Sequence, residues 1–170
     1  KPVAPIYLKQ TTNGADYLII YHPSLLSVAE RLKNIRENNF PDTSIQNPRI
    51  KLINIFDLYD GFTAGFLDPL APYYFVKYAF ENYQSPAPLY VTLVGDMSSD
   101  YRKVFHTSRP NFVPSPPYYS YTFGQSASDN EIVAVTGDDV MPDLAIGRIS
   151  VETEAEGNIY LDRIENYPEI

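Results

Sequence analysis

An acidic residue heads an apolar segment late in the sequence. Asp143 directly precedes Leu144-Ala145-Ile146, and Arg148 follows five residues later. Burial of a carboxylate costs several kcal/mol unless the group is paired, so Asp143 needs a partner. Two interpretations remain open at this point. Asp143 either pairs structurally, with Arg148 or a backbone group, or it orients an imidazole that this chain does not contain.

Two further acidic positions have the spacing for chemistry. Asp96 ends the apolar run Leu93-Val94-Gly95, where an acid can orient a base, bind a metal or cap the next segment. Asp138 and Asp139 place two carboxylates side by side, and calcium prefers several oxygen ligands. The spacing matches no EF-hand, so a solvated turn is the competing interpretation, and we expect no required cofactor beyond this calcium alternative.

The sequence offers few nucleophiles or bases. It contains no cysteine and only two histidines, His22 and His106. His22 follows an apolar run, a place that suits a catalytic base, but no Gly-x-Ser-x-Gly motif supplies a nucleophile for it. We therefore favour a structural role for His22, and His106 has no motif around it. A cysteine nucleophile is therefore excluded within this chain.

Aromatic residues and prolines are concentrated in one segment. Of 15 Tyr and 15 Pro, three Tyr and four Pro fall within the 19 positions from 105 to 123, inside a predicted long loop over residues 97–128. Loops of this length in compact domains usually have a function or pack against another part of the protein or a partner. Tyr118, Tyr119 and Tyr121 can form a surface for a substrate or partner, since tyrosine combines apolar area with a polar tip. The alternative is that they pack back onto the domain.

Composition narrows the classes of partner. The net charge is -8 and the 13 Lys and Arg residues form no run, which argues against nucleic acid and against an anionic membrane surface. No apolar stretch reaches the roughly 18 residues of a membrane-spanning helix. Neither a Gly-x-Gly-x-x-Gly nor a Walker sequence is present, so nucleotide binding is unsupported.

The elements that must position these residues alternate between strand and helix. Apolar runs predict strands over residues 16–21, 49–55 and 89–94, and helical spacing predicts helices from about residue 24 and over 69–83. We also expect strand-like segments at 131–135 and 143–149, and a last helix near Thr153 with a capping box to Glu156. The class is α/β: a mainly parallel sheet flanked by helices, Rossmann-like and three-layered, in one domain.

The working edge of such a sheet lies at the carboxyl ends of its strands. This rule places His22, Asp96 and the Asp138-Asp139 pair near one rim. A metal-dependent phosphoryl-transfer or receiver-like domain would use acids at that rim, such as Asp96, and would need a divalent cation.

Several blocks of residues, in order, resemble the gingipain family of cysteine peptidases, peptidase family C25. They are Asp16-Tyr17-Leu18-Ile19-Ile20 with His22-Pro23, the aromatic-acidic segment from Asp57 to Asp68, Tyr90-Val91-Thr92-Leu93-Val94-Gly95-Asp96, Val113-Pro114, Ser128-Asp129, Gly137-Asp138-Asp139 and Pro142-Asp143-Leu144-Ala145-Ile146-Gly147-Arg148. The similarity spans about residues 15–168. It identifies residues 15–170 as a first, N-terminal subdomain, with residues 1–14 as a lead-in.

The resemblance implies a function for the parent protein rather than for this chain. The family cleaves peptide bonds with a cysteine and a histidine in a Gly-His-Gly setting, both in a second, caspase-like subdomain. The first subdomain docks on it and lends an acid that orients the histidine, and by position in the motif that acid is Asp143. The resemblance further implies a peptide or protein substrate, a secreted or cell-surface bacterial location, and an apolar docking face through which the isolated chain self-associates. The competing hypothesis is a non-catalytic binding or scaffold module that uses the Tyr/Pro-rich loop.

Overall fold

The chain forms four helices and six strands among the residues that the computed structural model describes, which are 6–98, 100–102, 104, 110–122, 124–137 and 139–167. In chain order the elements are β1 (Tyr17–Tyr21), α1 (Leu26–Asn38), β2 (Ile50–Asn54), α2 (Ile55–Phe62), α3 (Ala71–Asn82), β3 (Tyr90–Val94), β4 (Pro117–Ser120), β5 (Gly124–Ala127), β6 (Ala145–Ile149) and α4 (Glu154–Glu165). Short 3₁₀ segments lie at Ile6–Lys9, Pro23–Leu25 and Asn130–Ile132. His106 and Asp138 lie outside the described residues.

Four strands form one parallel sheet in the order β2-β1-β3-β6. Tyr17 of β1 pairs with Ile50 on one side and with Tyr90 on the other, and Tyr90 in turn pairs with Ala145. Parallel strands covered on both faces are apolar along their whole length, which explains the continuous run in β1. The predicted α/β class is confirmed.

The hydrophobic core divides into two layers, one on each face of the sheet. On one face α2 and α3 bury Leu58, Phe75 and Val76 against Leu18 and Ile20 of β1. On the other face α1 and α4 pack over the remaining side chains, including Ile19, Leu32, Ile149 and Leu161. The three-layer arrangement predicted from the alternation of strands and helices is therefore present.

The connection from β3 to β6 contains structure that the sequence patterns did not predict. The segment expected to be a long loop includes the antiparallel hairpin β4–β5. The segment at 131–135, expected to be strand-like, instead begins in the 3₁₀ turn Asn130–Ile132. Ile132, Val133 and Val135 are buried in the same layer as α3, so their apolar side chains pack over the sheet without joining it. The strand-like prediction is wrong here because an apolar run can be buried without pairing to a strand.

The two later helices bury mainly small and aliphatic residues, and their tyrosines lie at the boundary. In α3 the buried residues include Phe75, Val76 and Ala79, whereas Tyr78 is partly buried and Tyr74 is 41% exposed. The helix α4 buries Gly157 and Leu161, whereas Tyr160 is 41% exposed. The predicted capping box of α4 is confirmed, since the Thr153 and Glu156 side chains bond each other's backbone.

A nearly buried ion pair joins the amino ends of β1 and β2. The Asp16 carboxylate, 5% exposed, accepts hydrogen bonds from the Arg49 backbone N–H at 2.6 Å and from Nη2 at 2.6 Å. The Arg49 side chain holds the pKa of Asp16 below its usual range. No helix within the described ranges is long and apolar enough to cross a membrane.

Candidate functional site

Asp143 lies in a turn immediately before β6, where its carboxylate organises the preceding backbone. Oδ2 accepts hydrogen bonds from the backbone N–H groups of Val135 and Thr136, each at 2.8 Å. The Thr136 hydroxyl donates to Oδ1. Gly137, with φ +68, provides the left-handed backbone that the turn requires. The carboxylate is therefore fixed in direction by three donors from one turn.

The same contacts keep Asp143 ionised at an exposed position. Hydrogen bonds from the Thr136 side chain first, and then from the Thr136 and Val135 backbone, lower the pKa of the Asp143 carboxyl group. Asp143 itself is exposed to solvent. A carboxylate oxygen has room for more than one donor, so Oδ1 can accept a further hydrogen bond from outside the chain.

Three large hydrophobic residues close to Asp143 in the chain or across the sheet are exposed. Val140 and Met141, in the same connection, are 65% and 68% exposed. Leu89, whose carbonyl accepts a 2.9 Å hydrogen bond from the Ala145 N–H, is 40% exposed.

Arg148 does not pair with Asp143. Its guanidinium, on a side chain only 8% exposed, forms a bidentate ion pair with Asp129, with Nε to Oδ2 at 2.9 Å and Nη2 to Oδ1 at 2.7 Å. It also donates to the carbonyls of Gly95 and Val113 and to the Ser115 hydroxyl, at 2.7, 2.8 and 2.7 Å. The structural partner of Asp143 is therefore the backbone of Val135 and Thr136, and not Arg148.

The Arg148 cluster is a structural clamp that the sequence patterns did not reveal. Although burial acts to raise the pKa of Asp129, hydrogen bonding and charge attraction from Arg148 hold the pKa below its usual range. The five hydrogen bonds of Arg148 tie the end of β3 and the segment around Val113 to β6. The only available signal was an arginine in an otherwise apolar strand, and the sequence did not show which acid it meets.

The residues predicted to lie together at one rim lie at two opposite ends of the sheet. His22 follows β1 and Asp96 follows β3, so both lie at the carboxyl ends. Asp143 precedes β6 and therefore lies at the amino end of the sheet. Asp139 lies in the same region, because its carboxylate is 3.9 Å from the point that a Cβ on Gly137 would occupy, and the neighbouring Thr136 is bonded to Asp143. The expectation that Asp139 shares a rim with His22 and Asp96 is wrong, because the connection from β3 crosses the sheet before it enters β6.

Of the predicted calcium-binding pair, the structure describes Asp139. The Asp139 carboxylate accepts a 3.0 Å hydrogen bond from the Met141 backbone N–H, as in a polar turn. No group of three or more His, Asp or Glu side chains in the described ranges is arranged to hold an ion. Asp138, the other predicted ligand, is not among the described residues.

The tyrosines of the Tyr/Pro-rich segment lie on the hairpin, directed away from the core. Tyr118 and Tyr119 on β4 are 44% and 76% exposed, and Tyr121 in the turn is 101% exposed. The segment just before them, from Val113 to Pro116, is buried instead. The hairpin is thus anchored at its base and exposes aromatic rings at its tip.

Comparison with known proteins assigns the chain to a family. The model of peptidase family C25 matches residues 10–169, nearly the whole chain. The chain therefore belongs to peptidase family C25. Among proteins of curated function, none matches it in sequence.

A solved structure shows the same fold in a larger protein. The chain is similar to dimeric latent PorU from Porphyromonas gingivalis, with a TM-score of 0.71 and 21% identity over 91% of this chain. The similar region makes up 16% of the PorU chain. What this chain shares with that structure is one domain of a much longer polypeptide.

Proposed function

We propose that this chain is the first, non-nucleophile subdomain of a gingipain-like cysteine endopeptidase. It docks on a catalytic subdomain of the same polypeptide and is inactive alone, because it contains no cysteine. Membership of the C25 family supports this assignment, and so does the small share of the PorU chain that the domain covers. By family resemblance, the parent protein is secreted or on the surface of a bacterium and acts on peptides or proteins.

Asp143 is the residue that we assign to the reaction, as a positioning acid. The observation that carries this role is an ionised, exposed carboxylate whose direction is fixed by three hydrogen bonds. In a catalytic triad, an acid of this kind accepts the second N–H of the imidazole and holds the ring in the tautomer that removes the nucleophile's proton. The exposed apolar side chains beside Asp143 form the matching docking surface.

The test compares two acids of one connection in the parent protein. Asp143→Asn retains one oxygen for the Val135 and Thr136 N–H groups, so the turn survives while the charge is lost. We expect kcat to fall on the order of 10²- to 10⁴-fold, with little change in KM and an altered pH profile. Asp139→Asn is the matched control and leaves kcat within twofold. Wild-type kcat in Asp143→Asn, with a normal pH profile, removes Asp143 from the mechanism.

The exposed tyrosines favour a second candidate function, a binding module. In that case Tyr119 and Tyr121 contact a protein partner and Asp143 serves only the turn. The double variant Tyr119→Ser/Tyr121→Ser would then lower partner affinity at unchanged stability, while Asp143→Asn would leave any peptidase activity of the parent intact. The Asp143→Asn result therefore separates the two candidates.

Docking also predicts the behaviour of the isolated chain. Removal of a covering subdomain leaves Leu89, Val140 and Met141 in water. We expect concentration-dependent self-association in sedimentation velocity, and Met141→Lys should weaken it. A chain that stays monomeric at high concentration would count against a docking surface at this position.

A further inference from the structure

A cavity of about 220 Å³ opens at the carboxyl ends of β1 and β3, away from Asp143. Its walls come from His22 after β1, from α2, and from the segment that follows β3. The described residues of the lining are His22, Phe56, Tyr59, Leu67, Tyr101, Pro110, Asn111 and Phe112. The volume exceeds the roughly 150 Å³ of a cavity that holds benzene and falls below the roughly 300 Å³ of sites for drug-sized ligands. A group the size of one ring fits.

The position of the cavity is the one where open parallel sheets bind ligands. In the order β2-β1-β3-β6, the chain leaves β1 toward β2 and leaves β3 in the opposite direction, toward β6. This reversal creates a crevice between the carboxyl ends of β1 and β3, which is the usual ligand site in such folds. His22 and Phe112 both lie at that crevice, since the His22 N–H bonds the Val94 carbonyl and the Phe112 N–H bonds the Asp96 carbonyl.

The walls are aromatic and partly open to solvent. The His22 ring lies 4.5 Å from the Phe112 ring and 5.5 Å from the Phe56 ring, and Phe56 in turn lies 6.0 Å from Tyr59. Phe56 and Leu67 are each 48% exposed, although both are large apolar residues. No lysine or arginine is among the described residues of the lining. These walls favour an aromatic ring, which can stack or pack edge-on against them.

A donor and an imidazole nitrogen lie in this aromatic setting. The Asn111 Nδ2 is buried and has no hydrogen-bond partner among the described residues, while the Oδ1 of the same amide accepts from the Ser98 N–H at 3.2 Å. The His22 Nδ1 lies 2.8 Å from the Ser24 hydroxyl oxygen and accepts from the Ser24 N–H at 3.3 Å. The other ring nitrogen, Nε2, has no partner within the described residues. A buried donor without a partner, such as the Asn111 Nδ2, is rare in native proteins and requires an explanation.

We propose that this cavity binds one aromatic ring that carries an adjacent hydrogen-bond acceptor, such as a carbonyl oxygen. The ring occupies the space between Phe56 and Phe112, and the acceptor receives the Asn111 Nδ2–H, with His22 Nε2 as a second polar atom beside it. The site is separate from Asp143, which lies at the other end of the sheet. It does not depend on the peptidase assignment.

The test is an NMR titration of the 170-residue chain with two probes. Benzamide represents a free small molecule, and N-acetyl-phenylalaninamide represents the side chain of a bound peptide segment. We expect saturable shifts of the Asn111 side-chain amide with a Kd on the order of 1 mM, as is usual for single-ring ligands. Tighter binding of the peptide probe assigns the site to a protein segment, and tighter binding of benzamide assigns it to a small molecule. Failure of both probes to bind overturns the proposal.

Variants and analogues test the two recognition elements separately. Asn111→Asp keeps the oxygen that accepts from Ser98 and removes the donor, so affinity should fall at least fivefold, whereas Asn38→Asp on the exposed face of α1 serves as control. Toluene lacks the acceptor and cyclohexanecarboxamide lacks the aromatic ring, and each should bind more weakly than benzamide. Should Asn111→Asp fail to fold, Phe56→Ala at the rim provides the second variant. Unchanged affinity in a folded Asn111→Asp or Phe56→Ala would refute the assigned contacts.

Discussion

Replacement of Arg148 by methionine should remove the clamp that joins the β3–β6 connection to the sheet. The variant loses five hydrogen bonds and leaves Asp129 without its counter-ion and two backbone carbonyls without their Arg148 donor, while the Ser115 hydroxyl keeps its hydrogen bond to Asp129. Removing one partner of a buried ion pair costs about 3–5 kcal/mol. Because the Asp129 side chain is 29% exposed, water replaces part of the loss, and we expect about 3 kcal/mol.

Urea unfolding followed by far-ultraviolet circular dichroism measures this loss. With a urea dependence of about 2 kcal/mol per molar, the midpoint should fall by about 1.5 M. Arg163→Met, on the exposed side of α4, is the matched control and should change stability by less than about 0.5 kcal/mol. Adding Asp129→Asn to Arg148→Met should have a much smaller effect than Asp129→Asn alone, since the pair is already broken. A loss below about 1 kcal/mol for Arg148→Met would refute the clamp.

Three further changes test the packing and electrostatics of the fold. Gly157→Ala should destabilise by about 1–3 kcal/mol in urea unfolding, because the added Cβ would lie 2.5 Å from Val28 Cγ2 where α1 and α4 meet; wild-type stability would show that the helices move apart freely. Thr153→Ala should cost about 1 kcal/mol by removing the capping box of α4, whereas an unchanged thermal midpoint would exclude that role. The pKa of Asp16 is lowered by Arg49, so this pair stabilises the fold above about pH 4 and the stabilisation is lost as the pH falls through the lower, folded-state pKa. Asp16→Asn should therefore be less stable than wild type at pH 7 with a shallower loss on acidification, and parallel pH curves for the two proteins would contradict this.

The elements of the sheet were predictable because their signals are local. The apolar runs at β1, β2 and β3 each extend over a strand that is covered on both faces, and the Thr153–Glu156 spacing marks a helix start by a short-range contact. The inward faces of α3 and α4 are less predictable. Tyrosine can pack at a boundary with its hydroxyl in water, so residues such as Tyr74 and Tyr160 do not mark the buried face, which smaller neighbours fill.

The site depended on contacts between distant positions, which a single sequence does not show. The sequence indicated that Asp143 needs a partner, but the partner is a turn whose shape depends on Gly137, and Arg148 instead meets an acid 19 residues away. The aromatic cavity went unpredicted for the same reason. Its walls come from three separated segments, and His22 was the one member whose position drew attention.

The most direct test of the central claim is to mix this chain with the separately produced segment that follows it in the parent reading frame. Peptidase activity toward a short peptide should be absent for either piece alone and should appear on mixing, with Asp143→Asn forming the same complex in sedimentation but restoring far less activity. Activity of the second segment that is the same with and without this chain would contradict the claim that this domain completes the catalytic unit.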